Sequence, residues 1–300
     1  MSETTASLRR KIGGAQDLQG VVRTMKAVAA SSIGQYEKSV LALGDYYRAV
    51  ELGLGVCFRS AGPAVAITDE TRRAAARTVG AVVFGSDQGL VGQFNDVVAD
   101  AAVKALAALA PAEAEVWAVG ERVQARLADA GLSLLGLFPV PSSVKAIASL
   151  VGQILVESEA SRGRDETAEL HLFYNRPTSG AIYAPAHQRL LPLDATWLRK
   201  LADRPWPTGN LPEVLGDGTA TLRALLREYL FVSLFRACAE SLASENASRL
   251  SAMERADRNI DELLENLQGT FHRLRQSGID AELFEVISGF EALVSPRTRA

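Results

Sequence analysis

The segment IGQYEKSVLALGDYYRAVELGLGVC, residues 33–57, decides the fold because its apolar residues keep one helical spacing throughout its length. Steps of three and four residues alternate at Ile33, Tyr36, Val40, Leu43, Tyr47, Val50, Leu54 and Cys57. This alternation places an apolar seam along one side of an α-helix, as in helices that pack into coiled coils. After one slip of register, the seam continues upstream at Leu18, Val22, Met25 and Ala29. The sequence therefore predicts a long amphipathic N-terminal helix.

The C-terminal third carries a second seam with the same spacing. Its positions are Met253, Ala256, Ile260, Leu264, Leu267, Phe271 and Leu274, and after Gly278 it resumes at Leu283, Val286, Phe290 and Leu293. At 1.5 Å per residue, a helix over residues 219–294 would be roughly 110 Å long, and the N-terminal helix roughly 80 Å. A single domain core is narrower than that, so we expect the helices to pack on each other or on other proteins.

The middle of the chain has a different composition. All prolines except Pro296 lie between Pro63 and Pro212, and proline interrupts helices. This part alternates predicted strands with predicted helices. The strands cover residues 79–85 and 114–119, the helices cover 95–110, 121–130 and 143–161, and a hairpin joins 170–174 to 181–193. Residues 197–215, rich in proline, are expected to form an irregular connector.

This order predicts a Rossmann-like, doubly wound α/β domain inserted between two long helices. The predicted division is an N-terminal coiled-coil helix over residues 1–62, an α/β domain with its connector over 63–215, and a C-terminal coiled-coil helix over 216–300. Because an inserted domain returns the chain near the point where it left, the two terminal helices are expected to form an antiparallel coiled coil within one chain.

Composition excludes several classes of function. The 300 residues carry a net charge of −3, so no overall field attracts the chain to nucleic acid or to an anionic membrane. Cys57 and Cys238 lack the spacing of a zinc site or a disulfide framework, which favours a reducing compartment. The longest uncharged apolar stretch, residues 146–156, is too short to span a bilayer. We therefore expect a protein that works outside the lipid.

One glycine-bearing loop lies where α/β proteins often bind phosphate. This loop, GSDQGLVGQFN at residues 85–95, matches neither the GxGxxG pattern nor the P-loop. The preferred interpretation is a structural turn in which Ser86 or Asp87 bonds nearby amides. The weaker alternative is a nucleotide site.

Other polar groups give no catalytic pattern. His171, His187 and His272 are far apart in sequence, and we expect them to be solvated or locally bonded. A set of alternating charges is interpreted as a helix face with pairs four residues apart; it comprises Asp257, Asp261, Glu262, Glu265, Arg255 and Arg258. No catalytic residue, metal or cofactor is expected.

Four segments together resemble the gamma subunit of F-type ATP synthases. VRTMKAVAA at residues 22–30 resembles the opening motif of that family, and SDQGLVGQFN at 86–95 resembles its SDRGLCGGFN-like loop. ESLASENASRLSAM at 240–253 and IDAELFEVISGFEAL at 279–293 are similar to its C-terminal helix and signature. The segments occur in the order typical of the family.

This resemblance implies a rotary shaft inside a ring of three alpha and three beta subunits. It also implies contacts with the epsilon subunit and the membrane c-ring, and a peripheral location on the cytoplasmic face of a bacterial inner membrane. Catalysis would lie in the beta subunits, so the chain itself would not be an enzyme. The coupling ion, proton or sodium, would be selected by the rotor ring.

The resemblance also implies contact residues for the beta subunit. Arg249 and Gln276 match an arginine and a glutamine that hydrogen-bond a loop of beta, and Met25 and Lys26 match a Met-Lys pair that faces the lower lever of beta. The alternative for each of the four is an ordinary exposed helix residue.

Several positions depart from the usual family residues. Gln88, Val91 and Gln93 stand where the family usually has Arg, Cys and Gly; Asp280 replaces a usual Thr, and Glu254 a frequent Lys. These departures indicate a divergent branch. Two other functions stay open from the sequence: a Rossmann-like enzyme or binding domain with oligomerising helical arms, and a coiled-coil scaffold that self-associates.

Overall fold

The computed structural model describes residues 4–61, 78–109, 113–162, 169–179, 181–210, 212–214 and 216–294. Its elements, in chain order, are α1 (Thr5–Ala61), β1 (Thr78–Phe84), α2 (Phe94–Leu109), β2 (Glu113–Val119), α3 (Glu121–Asp129), β3 (Leu134–Phe138), α4 (Val144–Arg162), β4 (Glu169–Arg176), β5 (Ala184–Leu191), α5 (Ala195–Asp203) and α6 (Gly218–Val294). Two long terminal helices and a strand-and-helix middle confirm the predicted fold class.

The chain forms two compact units. One unit consists of Met1–Val28 with Leu250–Ala300, and the other is Ala29–Arg249. The predicted division at residues 62/63 and 215/216 describes the order of sequence segments and stays a prediction.

The larger unit contains a five-stranded sheet in the order β3-β2-β1-β4-β5. β1 pairs in parallel with β2 and β4, β2 pairs in parallel with β3, and β5 alone runs antiparallel, against β4. The parallel part has the order of a doubly wound sheet, whose carboxyl ends form the usual functional edge. The sheet and its late hairpin were both predicted from the sequence.

Both faces of the sheet are covered, as a mostly parallel sheet requires. Along β1, alternate side chains enter different cores because successive strand residues point to opposite faces. Val82 and Phe84 belong to a core with Leu54 of α1 and Leu234 of α6. Val83, on the other face, packs with residues of α2 and α3.

Within the larger unit, α1 and α6 run antiparallel. Tyr46 of α1 donates a hydrogen bond to Glu228 of α6, and Gly53, further along α1, packs against Leu225, which precedes Glu228. The predicted seam faces inward here, because its members from Ile33 to Cys57 are all buried or half-buried. The antiparallel pairing expected from the sequence is therefore confirmed.

The smaller unit pairs the same helices in the same sense. Arg9 stacks over the Phe271 ring at 5.3 Å, and Arg23 bonds Asp257 at 3.2 Å. The seam from Met253 to Leu274 is buried or half-buried. Leu18, placed on the upstream seam, is instead 61% exposed, whereas Val22, Met25 and Ala29 of the same seam are buried or half-buried.

The predicted continuation of the C-terminal seam is exposed. Leu283, Val286 and Phe290 all face solvent, and the Leu293 side chain lies outside the described residues. α6 passes through Gly278 without interruption. The spacing therefore predicted the helix correctly, and of the two expected packing partners, the other helix and other proteins, the first does not cover these side chains within the described residues.

Two elements were missing from the sequence prediction. β3 is short, contains Gly136 and joins the sheet edge through an irregular register beside Trp117. α5 occupies part of the segment expected to be irregular. Asp194 caps it by accepting from the Thr196 amide, and it ends before Pro205. Within the described residues, no helix is both long and apolar enough to cross a membrane.

Candidate functional site

The loop after β1 is closed by its own side chains. The Ser86 amide donates to Asn95 Oδ1 at 2.9 Å, and Asn95 Nδ2 donates to Ser86 Oγ at 2.9 Å. Ser86 Oγ in turn donates to the Gln88 carbonyl at 2.8 Å. Both Ser86 and Asn95 are buried, so their polar groups need these partners. This arrangement confirms the structural turn predicted for residues 85–95.

Asp87 links the same loop to two other segments. Its Oδ1 accepts the Glu121 amide at 3.0 Å, and its Oδ2 accepts the Val140 amide at 2.9 Å. The carboxylate therefore lies at the N-terminus of α3, where the helix dipole favours negative charge. Gly120 immediately precedes α3 with a φ of 111°, and a Cβ there would lie 2.8 Å from the Ser86 backbone. The N-terminus of α3 is not free to bind phosphate, because the Asp87 carboxylate already accepts the Glu121 amide there.

α6 holds the loop from another side. Ser248 Oγ donates to the Val91 carbonyl at 2.5 Å, and Asn175 Nδ2 of β4 donates to the Phe94 carbonyl at 2.8 Å. Both donors are buried. The 86–95 loop and the first part of the 240–253 segment, which carry two parts of the family resemblance, therefore meet in the larger unit through Ser248.

Arg249 lies in a buried polar cluster rather than on an open surface. Its Nη2 bonds Glu245 Oε1 at 2.5 Å, and its side chain is 12% exposed. Burial raises the pKa of Glu245, and the attraction of the Arg249 guanidinium only partly opposes that rise. Asp87, which is also nearby, raises the pKa of Glu245 further. The predicted contact residue is thus held by an internal carboxylate one helical turn away.

Lys26 also has an internal partner. Its Nζ lies 3.9 Å from Asp257, and Gln19 and Arg23 of α1 bond the same carboxylate. Asp261 receives bonds from α1 as well. Two of the four acidic residues predicted to pair along their own helix, Asp257 and Asp261, therefore pair across to α1, because the antiparallel partner brings basic side chains alongside. Met25, the neighbour of Lys26, is half-buried.

Gln276 has a different environment. It is exposed, and it lies at the start of a stretch, residues 275–290, in which every side chain is exposed. The structure therefore places Met25 and Lys26 together on α1 in the smaller unit, Gln276 on α6 in that unit, and Arg249 in the larger unit. Whether these four residues contact a beta subunit stays a prediction.

A histidine cluster was not predicted from the sequence. His171 Nδ1 lies 2.7 Å from His187 Nε2, and His171 Nε2 lies 2.8 Å from Glu169 Oε2. The His187 ring stacks on Phe173 at 4.5 Å. Burial lowers the pKa of His187, and His171 lowers it further. The hairpin register pairs Phe173 with His187. This register also brings the rings of His171 and His187 together, although the two histidines are not neighbours in the sequence. Local bonding was expected for these histidines, but not with each other.

In the part of the chain that the structure describes, no group of His, Cys, Asp and Glu side chains is arranged to hold a metal ion. Cys57 and Cys238 are both buried free thiols. The prominent features are therefore an anchored loop, a buried polar stretch of α6 and an exposed apolar end of the same helix.

Known proteins match this chain along nearly its whole length. A family model described as ATP synthase covers residues 4–293. The ATP synthase gamma chain of Anaeromyxobacter sp. (strain Fw109-5) is 28% identical over 304 residues, which covers 95% of this chain and 98% of that one. The ATP synthase gamma chain of Leifsonia xyli subsp. xyli (strain CTCB07) is 27% identical over 297 residues, with coverage of 96% and 97%.

Solved structures share the fold. In the Euglena gracilis mitochondrial ATP synthase (OSCP/F1/c-ring, rotational state 3), one chain matches with a TM-score of 0.61 and 18% identity, covering 99% of this chain and 98% of that one. In the Tetrahymena thermophila mitochondrial ATP synthase (central stalk/c-ring), one matches with a TM-score of 0.57 and 22% identity, covering 79% and 99%. With the family model and the gamma chains matching nearly its full length, the chain belongs to the ATP synthase gamma chain family.

Proposed function

We propose that this chain is the rotary shaft, or central stalk, of an F-type ATP synthase. It would couple ion flow through a membrane rotor ring to ATP synthesis or hydrolysis in a ring of three alpha and three beta subunits. The observation that carries this proposal is the exposed apolar end of α6, considered together with membership of the gamma chain family.

The exposed end of α6 has the character of a surface that a partner covers. Its side chains at Ile279, Leu283, Phe284, Val286, Ile287 and Phe290 are exposed, and those of Phe284 and Phe290 reach 69% and 68%. Contiguous apolar surface of this kind is rare on a free soluble protein and marks an interaction site. A sleeve formed by the alpha and beta subunits would remove this surface from water.

Glycines on α1 are compatible with the same sleeve. Gly13, Gly14, Gly20, Gly34 and Gly44 each have open space where a Cβ would lie. Close approach of another helix among the described residues therefore does not explain them. A smooth helix surface that turns against a surrounding ring would explain their use, at a cost of about 1 kcal/mol each relative to alanine.

The mechanism is symmetry breaking by an asymmetric rod. A single rod inside a pseudo-threefold ring presents a different face to each catalytic site, so each angle of the rod stabilises a different set of open and closed sites. Because coupling between binding events is reciprocal, nucleotide occupancy in turn biases the angle of the rod. In this proposal the chain is not itself an enzyme, and catalysis lies in the beta subunits.

Contacts with the beta subunits would be made by Met25, Lys26, Arg249 and Gln276. Gln276 is already exposed, and Lys26 is half-exposed beside Asp257. Arg249 is held by Glu245 and its side chain is only 12% exposed, so a beta subunit would reach only the exposed part of this side chain.

The remaining partners would be the epsilon subunit and the membrane c-ring. The chain would thus be a peripheral protein at the cytoplasmic face of a bacterial inner membrane, held there by its partners. The terminal helices, residues 1–62 and 216–300, would form the shaft, and residues 63–215 would form its side domain.

Co-purification tests the proposal. The tagged chain, co-expressed with the alpha and beta genes of its genome, should elute as a complex of three alpha, three beta and one copy of this chain that hydrolyses ATP. A stable homodimer without partners would favour the scaffold function, and ATP cleavage by the chain alone would favour the enzyme. Either result would refute the shaft.

A double substitution tests the contact residues. Arg249→Ala with Gln276→Ala should lower the ATPase activity of the complex while the far-ultraviolet circular dichroism of the chain is unchanged. Glu262→Ala, on an exposed position of the same helix, is the matched control and should leave activity intact. Full activity in the double variant would remove both residues from the proposed interface.

A further inference from the structure

A cavity in the larger unit is lined by two arginines and several hydroxyl groups. It has a volume of about 160 Å³ and lies among α1, β4, β5 and α6. Its lining residues are Tyr47, Tyr174, Arg176, Gln188, Ser233 and Arg236. The proposed shaft function uses none of these side chains, so the cavity can be considered independently of that function.

The two arginines share one carboxylate. Arg236 Nε donates to Glu240 Oε1 at 2.7 Å, and Arg176 Nε lies 3.4 Å from Glu240 Oε2. Two guanidinium charges are therefore balanced by one buried carboxylate, which leaves a local excess of one positive charge. Glu51, another acidic group near Tyr47, is paired with Arg204.

The arginines keep donors for a ligand. An arginine carries five N–H donors; Arg236 uses its Nε donor on Glu240, whereas Arg176 Nε makes only an ion-pair contact with that carboxylate. Arg176 Nη2 also donates to the Tyr174 hydroxyl at 3.3 Å. The hydrogen bond from Arg236 Nε to Glu240 orients the planar guanidinium of Arg236, and such planar forks match the geometry of oxyanions.

The floor of the cavity adds neutral donors. Ser233 is buried, and its hydroxyl lies near that of Tyr229 but makes no hydrogen bond of good geometry within the described residues. A buried hydroxyl that is bonded only poorly is costly, and a well-placed ligand oxygen would relieve that cost. The Tyr47 hydroxyl and the Gln188 amide line the same space.

We propose that this cavity binds a small tetrahedral oxyanion of the phosphate class between Arg176 and Arg236, with Ser233 as a neutral donor. The volume accommodates one such anion with a little water. Carboxylates are planar and leave the Ser233 hydroxyl and one guanidinium less well matched, so the tetrahedral anion is the preferred ligand.

Equilibrium dialysis of the full-length chain against labelled inorganic phosphate tests this site at fixed ionic strength. We expect one phosphate per chain. Arg176→Gln and Arg236→Gln should each weaken binding about tenfold, because each removes a charge-assisted hydrogen bond. Arg223→Gln changes an exposed arginine of α6 outside the cavity and should leave binding unchanged.

A second variant guards against misfolding. Ser233→Ala keeps all charges and should weaken phosphate binding several-fold while circular dichroism is unchanged. Acetate should not displace phosphate at equal concentration. Absence of saturable binding, an equal loss in Arg223→Gln, or displacement by acetate would each overturn the proposal.

Discussion

Two stretches of α6 invert the usual distribution of polar and apolar residues. Between Glu240 and Ser248, in the larger unit, the helix buries a run of polar side chains that includes Ser241, Ser244 and Glu245. Between residues 279 and 290, in the smaller unit, it exposes large apolar ones. Amphipathicity alone would predict the reverse in both places. Burial along this helix therefore follows what the helix contacts rather than its average hydropathy.

The buried stretch is stabilised by specific partners. Ser248 bonds the loop after β1, Asn246 bonds the Leu242 carbonyl, and Glu245 bonds Arg249. Each of these pairs restricts how the helix can pack, whereas the buried hydroxyls of Ser241 and Ser244 in the same stretch make no hydrogen bond within the described residues. The exposed stretch has no such partners among the described residues, so its apolar side chains are available to another protein.

The largest expected effect comes from removing the carboxylate of the buried pair. Glu245→Ala leaves the Arg249 guanidinium mostly buried without its ion-pair partner, and we expect a loss of about 3 kcal/mol in the free energy of unfolding. Urea unfolding followed by circular dichroism measures it. Glu262→Ala, at an exposed position, should change stability by less than about 0.5 kcal/mol. Equal effects of the two substitutions would show that the buried carboxylate of Glu245 stabilises the fold no more than an exposed one does.

Features that depend on regular spacing were predictable from the sequence. The seam residues between 33 and 57 and between 253 and 274 are buried or half-buried. The strands predicted over 79–85 and 114–119 are neighbours within the sheet, and neither lies at its edge. Spacing fixes which residues share a helix face, and continuous apolar runs mark buried parallel strands. The loop at residues 85–95 was also interpreted correctly, because its glycine pattern matches no phosphate motif.

Features that depend on tertiary partners could not be predicted. Leu283 keeps the seam spacing, but spacing cannot say whether a second helix reaches it. Asp257 of α6 bonds Arg23 of α1, whereas the charged residues near Asp257 in the sequence had suggested ion pairs within α6. The His171–His187 contact depends on a hairpin register that a single sequence does not fix. The resemblance indicated Arg249 as a contact residue, but not that Glu245 holds it.

The pH dependence of stability tests the buried stretch of α6 separately, through the carboxyl group of Glu245. Burial raises the pKa of the Glu245 carboxyl above its ordinary value of 4.5, so the folded chain binds this proton more tightly than the unfolded chain. The contribution of Glu245 to stability is therefore highest below pH 4.5 and falls as pH rises through the raised pKa of the folded state. Every tenfold difference in proton affinity between the folded and unfolded chains corresponds to about 1.4 kcal/mol of stability.

Glu245→Gln isolates that dependence. Relative to the unmodified chain, this variant should gain stability as pH rises from about 4.5 towards neutrality, because it cannot acquire the buried charge. Urea midpoints of both proteins across this range provide the measurement. A difference that stays constant with pH, or that changes in the opposite direction, would contradict a raised pKa for Glu245.

A smaller effect is expected from the helix-to-loop bond. Ser248→Ala removes the donor to the Val91 carbonyl, and we expect a loss of about 1 kcal/mol. Ser251→Ala, one turn further along α6, is the matched control, because the bond that Ser251 accepts from Arg255 is exposed. Urea unfolding compares the two. If Ser248→Ala is as mild as the control, then the loop is not anchored through this hydroxyl.

The smallest effect on stability is expected where the apolar residues are largest. Phe284 and Phe290 are exposed, and serine has nearly the helix propensity of phenylalanine, so the double change Phe284→Ser with Phe290→Ser should alter the free energy of unfolding by less than about 0.5 kcal/mol. The same variant should sharply reduce the amount of chain recovered with alpha and beta subunits in co-purification, because it removes the surface that the sleeve would cover. Glu282→Ser, an exposed polar change in the same stretch, should leave recovery unaffected. A marked loss of stability in the double variant would mean that these rings pack within the chain itself, and the contrast between the two stretches of α6 would then have a different cause.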